Sequence, residues 1–307
     1  MNANAEKIRD QYEQSEEEDL LGEENLFRPI FKKYKKRRPM PDFSGVIDVR
    51  DSQNFTKYGV KSRFLFENSE ILEQDRTIAE NLGLRPLPEW RVCEFPNRPG
   101  LYVLPAILLK SHTPKWLENC QKYARSGENK TNLVAHGGEM NDTSLRWTTL
   151  GIEYDWNTKE YPADGKRVPE EFVSLAKLIS GSLKLGEMRA DATIVNFYPP
   201  KTALSPHVDK SERSNAPLIS LSLGQTAVYL SGGLTLSEEP IPIWLRNGDI
   251  LVMHAAQRLV YHAIPCVGVK SQATTFEKTE FPETKQETLD YLNCSRVNIT
   301  MRQVNEY

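Results

Sequence analysis

Cysteine is scarce, and none of the four cysteines, Cys93, Cys120, Cys266 and Cys294, belongs to a C-x-x-C pair. This spacing argues against a zinc site and favours reduced thiols in an intracellular protein. The sequence also lacks any run of about 18 apolar residues, so it predicts no membrane-spanning helix. The first residues lack the apolar stretch of a secretory signal and are too acidic for a typical mitochondrial transit peptide.

Charge is distributed unevenly along the 307 residues, whose formal net charge is −3. Residues 1–25 contain nine acids and two bases, so the remainder of the chain carries a net charge of +4. We expect residues 1–26 to form a disordered acidic tail. The charge of the remaining chain is compatible with nucleic-acid binding.

A basic segment (residues 32–38) follows the acidic tail, and six of its seven residues are bases: Lys32, Lys33, Lys35, Lys36, Arg37 and Arg38. Such a segment suits contacts with phosphates or with a nuclear import receptor. Pro39 and Pro41 come next, so a solvated helix end stopped by prolines is an equally good interpretation.

The hydrophobic pattern changes near residue 190. Upstream, residues 114–124 and 169–180 have helical periodicity, and Gly181 is expected to cap the second helix. A proline-rich loop at 86–105 leads into a strand. Downstream, short β-branched and aromatic runs alternate with Gly and Pro, at residues 192–198, 218–223, 227–230, 241–245, 250–253, 260–264 and 297–304.

This succession of short strands predicts an antiparallel sandwich or barrel. The charged stretch 268–293 interrupts it and is expected to be a surface insertion. The sequence therefore predicts an α+β fold, in which N-terminal helices flank a jelly roll. We expect an N-terminal extension over residues 27–190 and the jelly roll over 191–307, folded as one compact unit.

A possible metal site begins with His207 and Asp209. Side chains at i and i+2 of an extended segment face the same way, so these two can offer a nitrogen and a carboxylate to one point. An H-x-D tripeptide alone is common in surface turns. A histidine from a later strand would complete a facial triad that leaves positions on Fe(II) open. His262 is placed for this role, with His254 as its competitor.

Two further strands carry polar residues on one face. Arg296, Asn298, Thr300 and Arg302 alternate with apolar residues, as do Asn196 and Tyr198 in the earlier strand. Such residues either face solvent or turn inward, where arginine pairs well with a carboxylate. Arg296 and Arg302 are about 20 Å apart on a straight strand, so Arg302 either leans toward the same dicarboxylate or acts through Asp209.

Four motifs occur together in the order and spacing of the AlkB family of nucleic-acid dioxygenases: Asn196-x-Tyr198, His207-x-Asp209, Tyr261-His262-Ala263-Ile264 and Arg296-x5-Arg302. The chain resembles this family over residues 27–307. The resemblance is greatest to the homologue 1 branch and extends to these segments: Arg146-Trp147-x-Thr149-Leu150-Gly151, His207-Val208-Asp209-x-Ser211-Glu212 and Ser220-x-Ser222-x-Gly224-Gln225. It implies a double-stranded β-helix fold that uses Fe(II), 2-oxoglutarate and O₂.

The resemblance also implies roles for individual residues. His207, Asp209 and His262 would bind iron. The residues that would bind 2-oxoglutarate are Asn196, Tyr198, Arg296, Asn298 and Arg302. Trp147 and Tyr154 fall in the nucleotide-recognition region, where either could stack on a flipped base or pack in the core. Ser211 replaces an acid that helps the bacterial repair enzyme to read the base.

By this resemblance we expect oxidative demethylation of nucleobases, first of 1-methyladenosine in tRNA, with oxidation of 5-methylcytidine as a further reaction. The alternatives are demethylation of 6-methyladenine in DNA and a protein- or histone-directed dioxygenase of the same fold. The expected partner is tRNA or another structured or single-stranded nucleic acid. We expect a monomer in the nucleus or cytoplasm, with the mitochondrion as a further compartment, and no membrane association.

Overall fold

Two antiparallel sheets form the centre of the molecule. The computed structural model describes residues 24–52, 55–66, 71–135, 137–139, 141, 143–155 and 158–307. Most of the predicted acidic tail, residues 1–23, lies outside these residues. Within the described chain, no helix is both long enough and apolar enough to cross a membrane.

Helices and strands alternate in the first part of the chain and strands dominate the second. The helices are α1 (Phe27–Lys35), α2 (Phe55–Tyr58), α3 (Glu73–Asn81), α4 (Thr113–Arg125), α5 (Asn132–Ala135), α6 (Glu170–Ser182) and α7 (Gln286–Cys294). The first strands are β1 (Lys61–Phe64), β2 (Arg91–Glu94), β3 (Leu101–Leu104), β4 (Trp147–Gly151), β5 (Ala192–Tyr198) and β6 (Leu204–His207). The later strands are β7 (Leu218–Gly224), β8 (Ala227–Ser231), β9 (Ile241–Leu245), β10 (Ile250–Met253), β11 (His262–Val267) and β12 (Arg296–Arg302).

The larger sheet has eight strands in the order β1-β2-β3-β10-β7-β12-β5-β4, and the smaller has four in the order β6-β11-β8-β9. The predicted jelly roll within an α+β fold is confirmed. Strands β1 to β4 come from the segment upstream of residue 190 and extend the larger sheet, so that segment and the jelly roll share one sheet.

Alternation along β12 decides which side of the larger sheet is apolar. Val297, Ile299 and Met301 pack with α4, α6 and α7 in the largest apolar cluster. The opposite face of β12 carries Arg296 and Arg302 toward the smaller sheet. The space between the sheets is therefore apolar at β3, β8 and β10 and polar at β5 and β12.

Helix α1 covers the outer face of the smaller sheet. Its apolar side chains Phe27, Phe31 and Tyr34 are buried against that sheet, where they meet Leu230 and Trp244. The bases of α1 point outward and are exposed. This amphipathic pattern explains why a segment so rich in lysine forms a helix that is fixed to the domain.

Three details of the sequence prediction are wrong. Residues 268–293 are not a mere surface insertion, because α7 buries Leu289 and Leu292 and its carbonyl at Leu292 accepts from the Gln225 amide at 2.7 Å. Helix α6 continues through Gly181, and Lys184 supplies the left-handed residue, with φ 57°. The strand predicted at 260–264 begins at His262, after a short 3-10 helix over Ala255–Leu259.

Candidate metal and co-substrate site

The two sheets bring His207, Asp209 and His262 together. His207 ends β6 and lies directly opposite His262, the first residue of β11, while Asp209 follows two residues after β6. The ligand atoms of the three side chains all lie within 4.8 Å of one another, and the imidazole centroids are 4.2 Å apart. Two imidazoles and one carboxylate at this spacing form the donor set of a facial triad.

Backbone carbonyls fix the ring orientation of both histidines. His207 Nδ1 lies 2.9 Å from the Ser205 carbonyl oxygen, and His262 Nδ1 lies 3.2 Å from the Val260 carbonyl oxygen. A carbonyl only accepts, so Nδ1 of each ring carries the proton. Nε2 of each ring therefore has a lone pair to offer to a metal.

The charge states of the other groups also suit a metal. Burial lowers the pKa of His262 to about 4, aided by His207, so the ring is neutral near pH 7. Burial alone would raise the pKa of Asp209, but Arg302 and the two histidines hold it well below its usual range. The site thus offers an ionised carboxylate and a neutral imidazole, the forms that bind a divalent cation.

His254 takes no part in this cluster. It lies just after β10, and its backbone N–H donates to the Gly100 carbonyl at 2.9 Å. Among the described residues it is His262, and not His254, that lies with His207 and Asp209.

Arg296 is a buried cation with unmet hydrogen-bonding capacity. Its side chain donates to Ser222 Oγ from Nη2 at 2.9 Å, whereas Nε and Nη1 have no hydrogen-bond partner among the residues that the structure describes. Only 1% of the residue is exposed, and burial lowers its pKa to about 10. An unpaired buried guanidinium is costly, so the site fits a ligand with a carboxylate at this point.

Other predicted co-substrate residues lie around Arg296. Tyr198 is directly opposite Arg296 on β5, and Asn196 is opposite Asn298 in the same pair of strands. The amide of Asn298 donates to Ser220 Oγ at 2.6 Å, so it joins β12 to β7. The structure therefore groups Tyr198, Asn196 and Asn298 beside Arg296, and their contacts with 2-oxoglutarate stay a prediction.

Arg302 is engaged by carboxylates of the chain itself. Its Nη2 lies 3.0 Å from Asp209 Oδ2, and its Nη1 lies 2.5 Å from Glu212 Oε1. The second of the two interpretations of this residue thus fits the structure, because Arg302 acts on Asp209 rather than reaching toward Arg296.

Trp147 and Tyr154, the two residues predicted to stack on a base, lie in different parts of the site. Trp147 is buried in β4, directly opposite Asn196, and so faces the interior. Tyr154 is partly buried, and its phenol oxygen lies 3.4 Å from Ser211 Oγ. Burial raises the pKa of Tyr154, and the charge of nearby Asp209 adds to the rise. Tyr154 is therefore close to the metal triad, while Trp147 is close to the co-substrate residues.

The basic segment lies at the end of α1, where all six bases are exposed. Lys35 also lines a cavity formed by β5 and the β5–β6 connection. Arg146 and Lys201 are the other cations in its lining, next to Asn196 and Tyr198, and no described acidic side chain joins them.

The sequence did not single out several residues that complete the site. Ser222 is the one described protein partner of the Arg296 guanidinium, and Tyr229 lies 5.9 Å from the His262 ring, measured between ring centroids. Glu212 and Arg258 form an ion pair beside Arg302. Glu212 falls inside a segment that resembles the AlkB family, but its contact with Arg258 joins residues far apart in the chain.

Comparisons with known proteins agree with this site. Residues 100–302 match the family model described as the 2OG-Fe(II) oxygenase superfamily. The chain is 30% identical to the nucleic acid dioxygenase ALKBH1 of Mus musculus, with 92% of this chain and 84% of that protein covered. It is also 30% identical to the tRNA demethylase abh1 of Schizosaccharomyces pombe, with 91% of this chain and 96% of that protein covered.

The solved structure of OsALKBH1 has a similar fold, with a TM-score of 0.52 at 24% identity over 67% of this chain and 97% of that one. Members of the matched family use Fe(II), 2-oxoglutarate and O₂, for which the triad and the unpaired Arg296 are the fitting residues. The chain therefore belongs to the 2OG-Fe(II) oxygenase superfamily, and within it to the group of ALKBH1 relatives.

Proposed function

We propose that the protein oxidatively demethylates nucleobases, with 1-methyladenosine in tRNA as its main substrate and 5-methylcytidine as a further one. The observation that carries this proposal is Tyr154, a partly buried aromatic ring whose phenol oxygen lies 3.4 Å from the hydroxyl of Ser211, two residues after Asp209. The choice of tRNA rests on the similarity to a tRNA demethylase over 91% of the chain.

An aromatic ring beside the metal is what a flipped base requires. A base inside a helix must leave its stack to reach a metal, and an aromatic side chain replaces the lost stacking. Ser211, whose hydroxyl lies between Tyr154 and the Lys159 carbonyl, adds a neutral polar group instead of a carboxylate. A cationic base such as 1-methyladenosine would then depend on stacking more than on a charge contact.

Positive charge around the cavity beside β5 supports a polyanionic substrate. Lys35 belongs to the basic segment and also lines the cavity with Arg146 and Lys201. Cations at these positions could contact the phosphates on either side of the base, which sequence-independent binding requires. The position of Lys35 in this cavity therefore supports nucleic-acid binding by the basic segment, in addition to the composition of the segment.

Different residues of the chain would have different roles in the reaction. Bound Fe(II) supplies the oxidising chemistry, with His207, Asp209 and His262 holding it. Arg296 would anchor the far carboxylate of 2-oxoglutarate, with Tyr198 beside it. Tyr154 would hold the base so that its methyl group faces the metal. The contribution of the protein would then be to position the substrate and to exclude water.

The test is incubation of the protein with total tRNA, Fe(II) and 2-oxoglutarate, followed by mass spectrometry of the nucleosides. We expect 1-methyladenosine to decline, and Asp209→Ala to show no decline. Tyr154→Phe keeps the ring and should stay active, while Tyr154→Ala should lose roughly 5- to 150-fold, the value of one stacked base at about 1–3 kcal/mol.

Parallel reactions separate the alternatives. Single-stranded DNA containing 6-methyladenine and methylated histone peptides are offered under the same conditions. If either were turned over faster than tRNA, the proposed substrate would be wrong. Equal activity of Tyr154→Ala and Tyr154→Phe would remove the stacking role.

A further inference from the structure

A line of four alternating charges extends from the metal triad toward the segment before β11. Arg258 Nη2 lies 3.1 Å from Glu212 Oε2, Glu212 Oε1 lies 2.5 Å from Arg302 Nη1, and Arg302 Nη2 lies 3.0 Å from Asp209 Oδ2. The side chain of Glu212 is 1% exposed and that of Arg258 is 8% exposed. Charges this deeply buried interact strongly, and removing one of them leaves its partner buried without a compensating charge, which destabilises the protein.

Arg258 also binds the backbone of the segment that carries Asp209. Its Nη1 donates to the Asp209 carbonyl oxygen at 3.2 Å, and its Nε donates to the Ala216 carbonyl oxygen at 3.1 Å. Residues 208–217 join β6 to β7 without regular secondary structure. Arg258 therefore holds this irregular segment at two points near its ends.

The position of Arg258 in the chain means that these contacts join two segments of the metal triad. Arg258 lies in the 3-10 helix before β11, four residues upstream of His262. It thus ties the segment that bears Asp209 to the segment that bears His262. Glu212 contributes in two ways, since it balances the charge of Arg258 and also holds one end of Arg302, whose other end binds Asp209.

We propose that Arg258 and Glu212 are positioning residues that set where Asp209 lies relative to His262 and so determine metal affinity. Neither residue needs to touch the metal or the substrate. The inference depends on the metal triad and not on the choice of tRNA as substrate, so the two can fail independently.

The test measures metal binding directly, on the full chain without oxygen or substrate. Mn(II) is titrated by electron paramagnetic resonance into the wild type, Glu212→Gln and Arg258→Lys. Glu212→Gln keeps the shape and removes the charge, while Arg258→Lys keeps the charge and loses the fork that reaches two carbonyls. We expect each variant to bind Mn(II) roughly 10- to 100-fold more weakly, the usual effect of removing a partner of a metal ligand.

A matched control comes from an ion pair in which no metal-site residue takes part. Arg246 Nη2 lies 2.6 Å from Asp48 Oδ2, with side chains 12% and 19% exposed. Asp48→Asn breaks this pair and should lower the unfolding temperature while Mn(II) affinity stays at the wild-type value. Co(II) absorption bands, which report ligand geometry, should shift in Glu212→Gln and not in Asp48→Asn.

The outcomes are distinct. Weaker Mn(II) binding with altered Co(II) bands in both site variants supports positioning. Wild-type Mn(II) affinity in Glu212→Gln and Arg258→Lys, together with a loss of stability like that of Asp48→Asn, would make the pair purely structural and overturn the proposal. If one variant does not fold, the other decides, because both residues act through the same segment.

Discussion

Replacing Arg296 should make the metal-free, ligand-free protein more stable and should strongly weaken its binding of 2-oxoglutarate. We consider Arg296→Met, which keeps the length and removes the charge. Arg296 is 1% exposed, and two of its guanidinium nitrogens have no hydrogen-bond partner within the described part of the chain. Each unmet buried group costs about 1–3 kcal/mol, so the ligand-free variant should gain stability on the order of 1–3 kcal/mol.

The effect on the ligand has the opposite sign. Removing one partner of a buried charge pair costs about 2–5 kcal/mol, which corresponds to roughly a 30-fold to few-thousand-fold weaker affinity for 2-oxoglutarate. At 100 times its dissociation constant, a ligand stabilises the wild type by about 2.7 kcal/mol. For a variant with 100-fold weaker binding, the same concentration adds only ~0.4 kcal/mol.

Thermal unfolding under anaerobic conditions, with Mn(II) and increasing 2-oxoglutarate, measures both effects. Ser222→Ala is the matched control, since it removes only the one described protein partner of the guanidinium. It should lower stability slightly and keep most of the response to 2-oxoglutarate. A full response in Arg296→Met, or a ligand-free variant less stable than the wild type, would refute the assignment of Arg296 as the carboxylate anchor.

Three further predictions follow from the site. His262→Ala should bind Mn(II) far more weakly than His254→Ala, and the reverse order would contradict the triad. In the metal-free protein the pKa of His262 falls from 6.5 to about 4 on folding, so unfolding free energy should drop by on the order of 3 kcal/mol as pH falls from 6.5 to 4. His262→Asn should flatten that part of a urea-unfolding pH series. Neutralising four bases in residues 32–38 should reduce the slope of log RNA affinity against log salt, and an unchanged slope would exclude phosphate contacts there.

The bounds of a strand could be predicted best where the strand is a single short apolar run in the sequence. Strands β5, β9 and β10 were predicted residue for residue, since each is a short apolar run bounded by Gly, Pro or charged residues. Helix α7 was missed because Leu289 and Leu292 stand in an otherwise polar segment. Its burial depends on contact with β7, which lies more than sixty residues upstream in the sequence.

Local sequence patterns also predicted many of the site residues, but not the contacts between residues that are far apart in the chain. The i, i+2 spacing of His207 and Asp209 and the alternation of β12 singled out these two candidate ligands and both arginines, whereas the choice of His262 over His254 came from the resemblance to the AlkB family. The pattern left open whether Arg302 would reach the co-substrate or Asp209, because that depends on the register between β12 and its neighbours. The Arg258–Glu212 pair was likewise hidden, since it joins residues 46 positions apart through a segment with no regular pattern.

The two-sided character of α1 limits how the chain can be shortened. The side that carries the exposed bases and the side that carries Phe27, Phe31 and Tyr34 belong to the same nine residues. A truncation that removes the bases would also uncover Leu230 and Trp244 on the smaller sheet, and newly exposed apolar surface of that kind promotes aggregation. Any role of the bases in RNA binding therefore has to be examined by changing side chains, because deleting the helix would alter the solubility of the whole domain.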